Sequence, residues 1–180
     1  MNVKVIVVTM VVMLATGSTY GQTKQIPAAK KRAPMARVPQ DNGKLVAGMK
    51  APVLSVEEWL SEVPDMKGKF IALDFWGPSC KPCIAGFPHI NELHHKYKDQ
   101  VVFIAATTDE DPGEVYSFSA GAPVEFYSMM QKAKAWEDYK IQGIPHMLLI
   151  DPAGIVRYSG NGFELSEVML QDIIKKYGNK

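Results

Sequence analysis

Cysteine is nearly absent. Two of the 180 residues carry a thiol, Cys80 and Cys83, three positions apart. A lone Cys-x-x-Cys can be half of a zinc site, but no second pair exists to complete four thiolates. Ile84 rather than histidine follows the second cysteine, so the haem-attachment pattern is missing too. No glycine-rich loop joins a strand to a helix, which argues against a phosphate cradle and a bound nucleotide. Nor is there a basic stripe for nucleic acid: thirteen Lys and Arg in residues 45–180 stand against eighteen Asp and Glu. A comfortable membrane span needs about 20 apolar residues, and no run reaches that length.

The longest apolar run is the N-terminal one. Lys4 precedes the segment Val5 to Ala15, and small residues follow, with Thr19 and Gly21 at the −3 and −1 positions of a cut before Gln22. Residues 1–21 therefore read as a signal peptide. The mature chain is expected in the periplasm or otherwise exported, anchored by the N-terminal segment if that segment is not cleaved. No cysteine lies near the cut, so a lipid-anchored form is excluded. Export places both thiols in an oxidising compartment. Residues 22–44 carry six cations against Asp41 alone, with Pro27, Pro34 and Pro39. They read as a flexible basic linker, whose charge also suits an anionic membrane surface. Residues 45–180 read as one domain.

Within that domain Ser55 and Glu58 have the spacing of a capping box, which predicts a helix with Val56, Trp59, Leu60 and Val63 on one face. Phe70 to Trp76 is an apolar run broken only by Asp74, the pattern of a strand covered on both sides. A helix follows Cys80, with Ile84, Phe87, Ile90, Leu93 and Tyr97 inward and Pro88 in its middle. Val101 to Ala106 is a second buried strand. Asp111-Pro112 starts another helix, and Asp109-Glu110-Asp111 reads as a capping loop, since the ligand spacing of a calcium site is missing. A short strand over Val124 to Met129, a helix over Lys132 to Tyr139, and a hairpin of His146 to Ile150 with Ile155 to Ser159 follow. A last helix over Ser166 to Tyr177 turns Val168, Leu170, Ile173, Ile174 and Tyr177 inward. The order predicts an α/β sandwich on a mixed sheet.

Cysteines at i and i+3 across a helix start stand about 5–6 Å apart at Cα, the separation a disulfide requires. Cys80 at the helix N-terminus is favoured as a thiolate by the unpaired amides and the helix dipole, with Lys81 adding a positive charge. It is the expected nucleophile; Cys83, one turn inside, is the resolving thiol. A purely structural disulfide is disfavoured, because a loop of two intervening residues removes little unfolded-state entropy. Asp74, alone in its apolar strand, is the expected proton acceptor for Cys83, since burial without a cation raises a carboxyl pKa.

These residues resemble the thioredoxin-fold thiol–disulfide oxidoreductases, and within them the exported TlpA/ResA-like branch, over about residues 45–178. Phe75-Trp76-Gly77-Pro78-Ser79-Cys80-Lys81-Pro82-Cys83 resembles the active-site motif, and Phe87-Pro88 the kinked helix behind it. Tyr139 to Pro145 resembles the approach to a cis-proline loop, and Leu149 to Gly154 the last hairpin. The resemblance implies a thioredoxin-like three-layer sandwich, a mixed central β-sheet flanked by helices, with a helix/strand insertion in residues 107–135 before the cis-proline loop. It further implies a cis Pro145 against the disulfide, an Ile144 backbone that pairs with substrate, and Trp76, Lys81 and Pro82 as substrate-facing positions. Three positions depart from the family: Ser79 stands for tryptophan, His146 for threonine, and Gly86 for a helical glutamate, while Asp74 supplies an acid on the strand instead.

The expected activity is reduction of protein disulfides without a bound cofactor or metal, with a membrane-side thiol donor restoring the dithiol. Two other classes compete. A copper-handling metallochaperone would use soft thiolates with methionines and His89, His94 and His95, but copper-delivering relatives have three residues between their cysteines. A thiol peroxidase would need Thr-x-x-Cys, and Gly77 occupies the threonine position.

Overall fold

The computed structural model describes residues 44–108, 111–119 and 124–178. The expected signal peptide, all of the linker but Lys44, and the acids Asp109 and Glu110 lie outside the described residues. The described residues belong to one compact unit. Among the described residues no helix is long and apolar enough to cross a membrane.

The apolar run becomes β2 (Phe70–Phe75), and the helix after the cysteines is α1 (Lys81–Tyr97). Then follow β3 (Val101–Thr107), α2 (Pro112–Ser119), β4 (Tyr127–Met130) and α3 (Lys134–Asp138). The chain closes with β5 (His146–Ile150), β6 (Val156–Gly160), a 3-10 turn (Gly162–Glu164) and α4 (Glu167–Tyr177). With a two-residue strand β1 (Glu58–Trp59) these build a sheet in the order β1-β4-β3-β2-β5-β6. β2, β3 and β4 run parallel, and β1, β5 and β6 pair antiparallel to their neighbours. The fold is the mixed-sheet, three-layer thioredoxin-like sandwich, with α2 and β4 inserted ahead of the cis-proline loop.

Strand alternation sorts the core onto two faces. Phe70, Ala72 and Trp76 pack with Cys83, Phe87, Ile90, Leu165 and Leu170 under α1 and α4. Leu73 and Phe75 pack with Ile104, Met129, Ala135, Tyr139 and Leu148 on the α3 side. Both faces of β2 are therefore covered, as an apolar run broken only by Asp74 requires. Asp74, between Ala72 and Trp76, falls on the α1 side.

Three local expectations need correction. The segment after Ser55 is not a helix. The backbone N–H groups of Glu57 and Leu60 donate to Met130 and Ser128 carbonyls, both at 2.9 Å, so the chain runs along the edge of β4. Glu58 does not close a capping box; its carboxylate accepts the Tyr116 hydroxyl at 2.6 Å. Val63 is consequently exposed, and so is Val168 on α4, whose buried side begins at Leu170.

Candidate active site

The two cysteines form a disulfide with Cα atoms 5.3 Å apart, at the junction of the active-site loop and α1. Cys80 is the N-cap of α1, and its sulfur accepts the Cys83 backbone N–H at 3.3 Å. Pro82 within the first turn has no N–H to satisfy, so the helix start costs little there. Cys80 is half-buried and Cys83 only 2% exposed. An attacking thiol from outside therefore meets Cys80 first. Lys81 and Pro82 are exposed beside it.

Asp74 is 2% exposed on the α1 side of β2, opposite Ala105 of β3 and Met147 of β5. Burial alone pushes its carboxyl up to about 8. Its neighbour on β3 is the small Ala105, and a segment distant in the chain closes over the carboxyl. A Cβ on Gly162 would stand 3.3 Å from Asp74 Oδ1, 3.1 Å from Met147 Cε and 3.5 Å from Ile90 Cδ1. The next residue, Phe163, lays its ring over Gly86 of α1, where a Cβ would come within 2.8 Å of the ring edge. Tyr158 pins this turn by donating its hydroxyl to the Asn161 carbonyl at 2.6 Å.

The Ile144–Pro145 peptide is cis. The loop that carries it meets the active-site loop, because a Cβ on Gly77 would lie 3.7 Å from Ile144 Cδ1. His146 opens β5 opposite Phe75, and its Nε2 lies 3.2 Å from the Ser159 hydroxyl. Burial first, and the Lys44 charge second, hold its pKa below the ordinary histidine value. It is therefore a neutral ring at neutral pH.

Trp76 was expected to face substrate, and its burial corrects that. It is fully buried, with ring centroids 5.5 Å from Phe87 and 5.3 Å from Phe118, and offers a substrate no surface. The helical histidines have separate partners: His89 bonds the Leu165 carbonyl, His95 pairs with Glu125, and His94, its ring 5.8 Å from that of His95, sits among Phe103, Phe126 and Tyr127. Among the described residues no three His, Cys, Asp or Glu side chains are grouped to hold a metal ion. Gly162 and Phe163 were not visible as site residues in the sequence. Asn161-Gly162 signals a turn there, but nothing local says that it closes over Asp74.

Residues 68–156 match the family described as Thioredoxin-like. A thiol-disulfide oxidoreductase ResA of Bacillus cereus is 36% identical over 121 residues, 64% of this chain and 70% of that protein. A second ResA, of Bacillus thuringiensis, is 34% identical over 138 residues, 74% of this chain and 79% of that one. A crystal structure from Chlorobium tepidum, assigned as a thiol:disulfide interchange protein DsbE, superposes with a TM-score of 0.64 at 30% identity. The match covers 75% of this chain and 100% of that one.

Proposed function

The chain belongs to the thioredoxin-like family, as a ResA-like thiol–disulfide oxidoreductase, and from that premise we propose that it reduces disulfides in exported proteins. The carrying observation is the graded burial of three groups: a half-buried Cys80 at a helix start, a buried Cys83, and a buried Asp74 on the same face of the sheet. The Cys80 thiolate attacks one sulfur of a substrate disulfide, forming a mixed disulfide and releasing the first substrate thiolate. Asp74 takes the proton of Cys83. The resulting thiolate attacks Cys80 Sγ, closing the Cys80–Cys83 bond and releasing the second substrate thiolate. Two electrons pass to the substrate, and a thiol donor on the membrane side returns them by the reverse exchange.

In the oxidised form the carboxyl with a pKa of about 8 holds its proton at neutral pH. It would then give that proton to Cys83 when the donor opens the disulfide. One group serves both directions because its pKa lies close to the ordinary thiol value of about 8.5. Ile144 and Pro145 would seat the substrate segment, with Lys81 and Pro82 on the exposed side of Cys80. Residues 1–21 would direct export, residues 22–44 would tether, and residues 45–180 would carry the chemistry.

The test is a Cys83→Ala trap in the native compartment. Without its resolving thiol Cys80 should hold exported proteins as mixed disulfides, identified by mass spectrometry after diagonal electrophoresis. Recovery of none, with Cys80 still reactive toward a small disulfide, would overturn the protein-reductase reading.

A further inference from the structure

Two hollows lie on the loops that frame the reacting pair, and their charged lining residues are of opposite sign. One, of about 620 Å³ and open to solvent, lies between Pro78 and Ser79 of the active-site loop and Asp111, Glu114, Ser117 and Phe118 around α2. The other, of about 340 Å³, is lined by Lys44, Lys140, Gln142, Gly143 and His146. The first is built on the segment leading into Cys80 and the second on the loop around Ile144–Pro145. Those two segments meet where Gly77 faces Ile144. A polypeptide presenting a disulfide to Cys80 over the cis-proline loop thus has a hollow of one sign at one end and of the other sign at the other.

The acidic hollow has a layered chemistry. Glu114 and Phe118 are four apart on α2 and share a helix face. The Phe118 ring rests on buried Trp76, so the floor is apolar and fixed. Asp111 is held at the start of α2, its Oδ1 accepting the Gly113 N–H at 2.8 Å and the Glu114 N–H at 3.3 Å. Ser79, exposed and small, leaves the mouth open beside Cys80. An apolar floor with a carboxylate rim suits a side chain with an aliphatic stem and a cationic head, namely lysine or arginine. At the other hollow Lys44 is near enough to His146 to lower its pKa, and Lys140 lines the same wall.

Resting on the reductase reading above, we infer that this site selects disulfides flanked by opposite charges. A lysine or arginine on one side of the attacked half-cystine seats between Ser79, Phe118 and Glu114, and an acidic residue on the other side meets Lys44 and Lys140. Charge of this kind steers encounter and fixes the direction in which the segment lies, more than it adds raw affinity.

The probes are two disulfide-linked peptides of identical composition, one with Lys before and Glu after the half-cystine, the other with the two exchanged, and a third with Gln at both places. The reduced, full-length protein is mixed with each and kcat/KM is measured at low salt. One charged arrangement should exceed the other by about 3- to 10-fold, the range expected of a few exposed charge pairs. The ratio should collapse toward one at about 0.5 M salt, and Glu114→Lys should abolish or invert it. Lys44→Glu, at the opposite end, should do the same, so the inference does not depend on one variant folding. Equal rates for the two arrangements, with the Gln peptide still reduced, would overturn this inference and leave the reductase reading standing. Failure to reduce any of the three would overturn both.

Discussion

Asp74 is a carboxyl in a place where the hydrophobic effect would put valine. On the proposed mechanism Asp74→Asn should slow resolution of the Cys80 mixed disulfide about 10- to 100-fold at pH 7, within the usual scale of lost general acid–base catalysis. Rapid-mixing measurement of the second thiol released would show it, and an unchanged rate would remove Asp74 from the mechanism. Stability should move the opposite way. Between pH 4 and pH 8 the folded chain holds a proton that the unfolded chain has lost, since the group titrates near 3.8 when exposed and at about 8 in the fold. Folded stability therefore falls as pH rises through that window and is level above it. Asp74→Asn removes this dependence. Urea unfolding should show the variant more stable by roughly 2–5 kcal/mol at pH 9 and nearly equal to the parent at pH 4. Asp74 was legible in the sequence because one acid broke an apolar run whose two-sided burial could be read from composition. Trp76 was not: its neighbours are the motif, and only the packing of Phe87 and Phe118 shows that it lies beneath the site.

Elements with a strong local period were the legible ones. β2, α1, β3, β5 and α4 follow from long apolar runs or from i, i+3, i+4 spacing, and Ser166 caps α4 by accepting the Met169 N–H at 3.2 Å. β1 failed for the opposite reason. A two-residue edge strand carries almost no periodic signal, whereas Ser55 and Glu58 mimic a capping box, and pairing with β4 overrides that local preference. The 3-10 turn was illegible because its value is a contact between Gly162 and Asp74, 88 positions apart in the chain. That contact makes Gly162 a position where size matters rather than backbone freedom. Gly162→Ala would push a methyl against Met147 Cε, Asp74 Oδ1 and Ile90 Cδ1 together. The flexible Met147 can yield a few tenths of an ångström, so the expected cost is about 1–2 kcal/mol, the lower part of the range for an overfilled core. Chemical denaturation at constant m-value would measure it. An unchanged midpoint would mean that the turn does not press on the carboxyl.

At the scale of the whole molecule the charge division is the remaining feature. Residues 22–44 carry six cations against one acid, while the domain that follows has an excess of acids. The described residues belong to one compact unit, and both faces of its sheet are filled by side chains from Leu45 onward. The fold and the thiol chemistry should therefore survive removal of residues 1–36, while charge-driven attachment should not. A chain beginning at Arg37 loses Lys24, Lys30, Lys31 and Arg32 of that cluster. It should unfold in urea within about 0.5 kcal/mol of the chain beginning at Gln22, the usual limit for changes away from the core. It should also reduce the Gln-flanked peptide at the same rate. Each basic residue near an anionic leaflet contributes about 1 kcal/mol of attraction, so the longer chain should bind phosphatidylserine vesicles at low salt and the shorter one should bind far more weakly. Vesicle sedimentation separates the two, and salt of about 0.5 M should release the longer chain as the Debye length contracts. Equal sedimentation of both chains would place the membrane contact on the domain itself and leave the basic segment as a spacer.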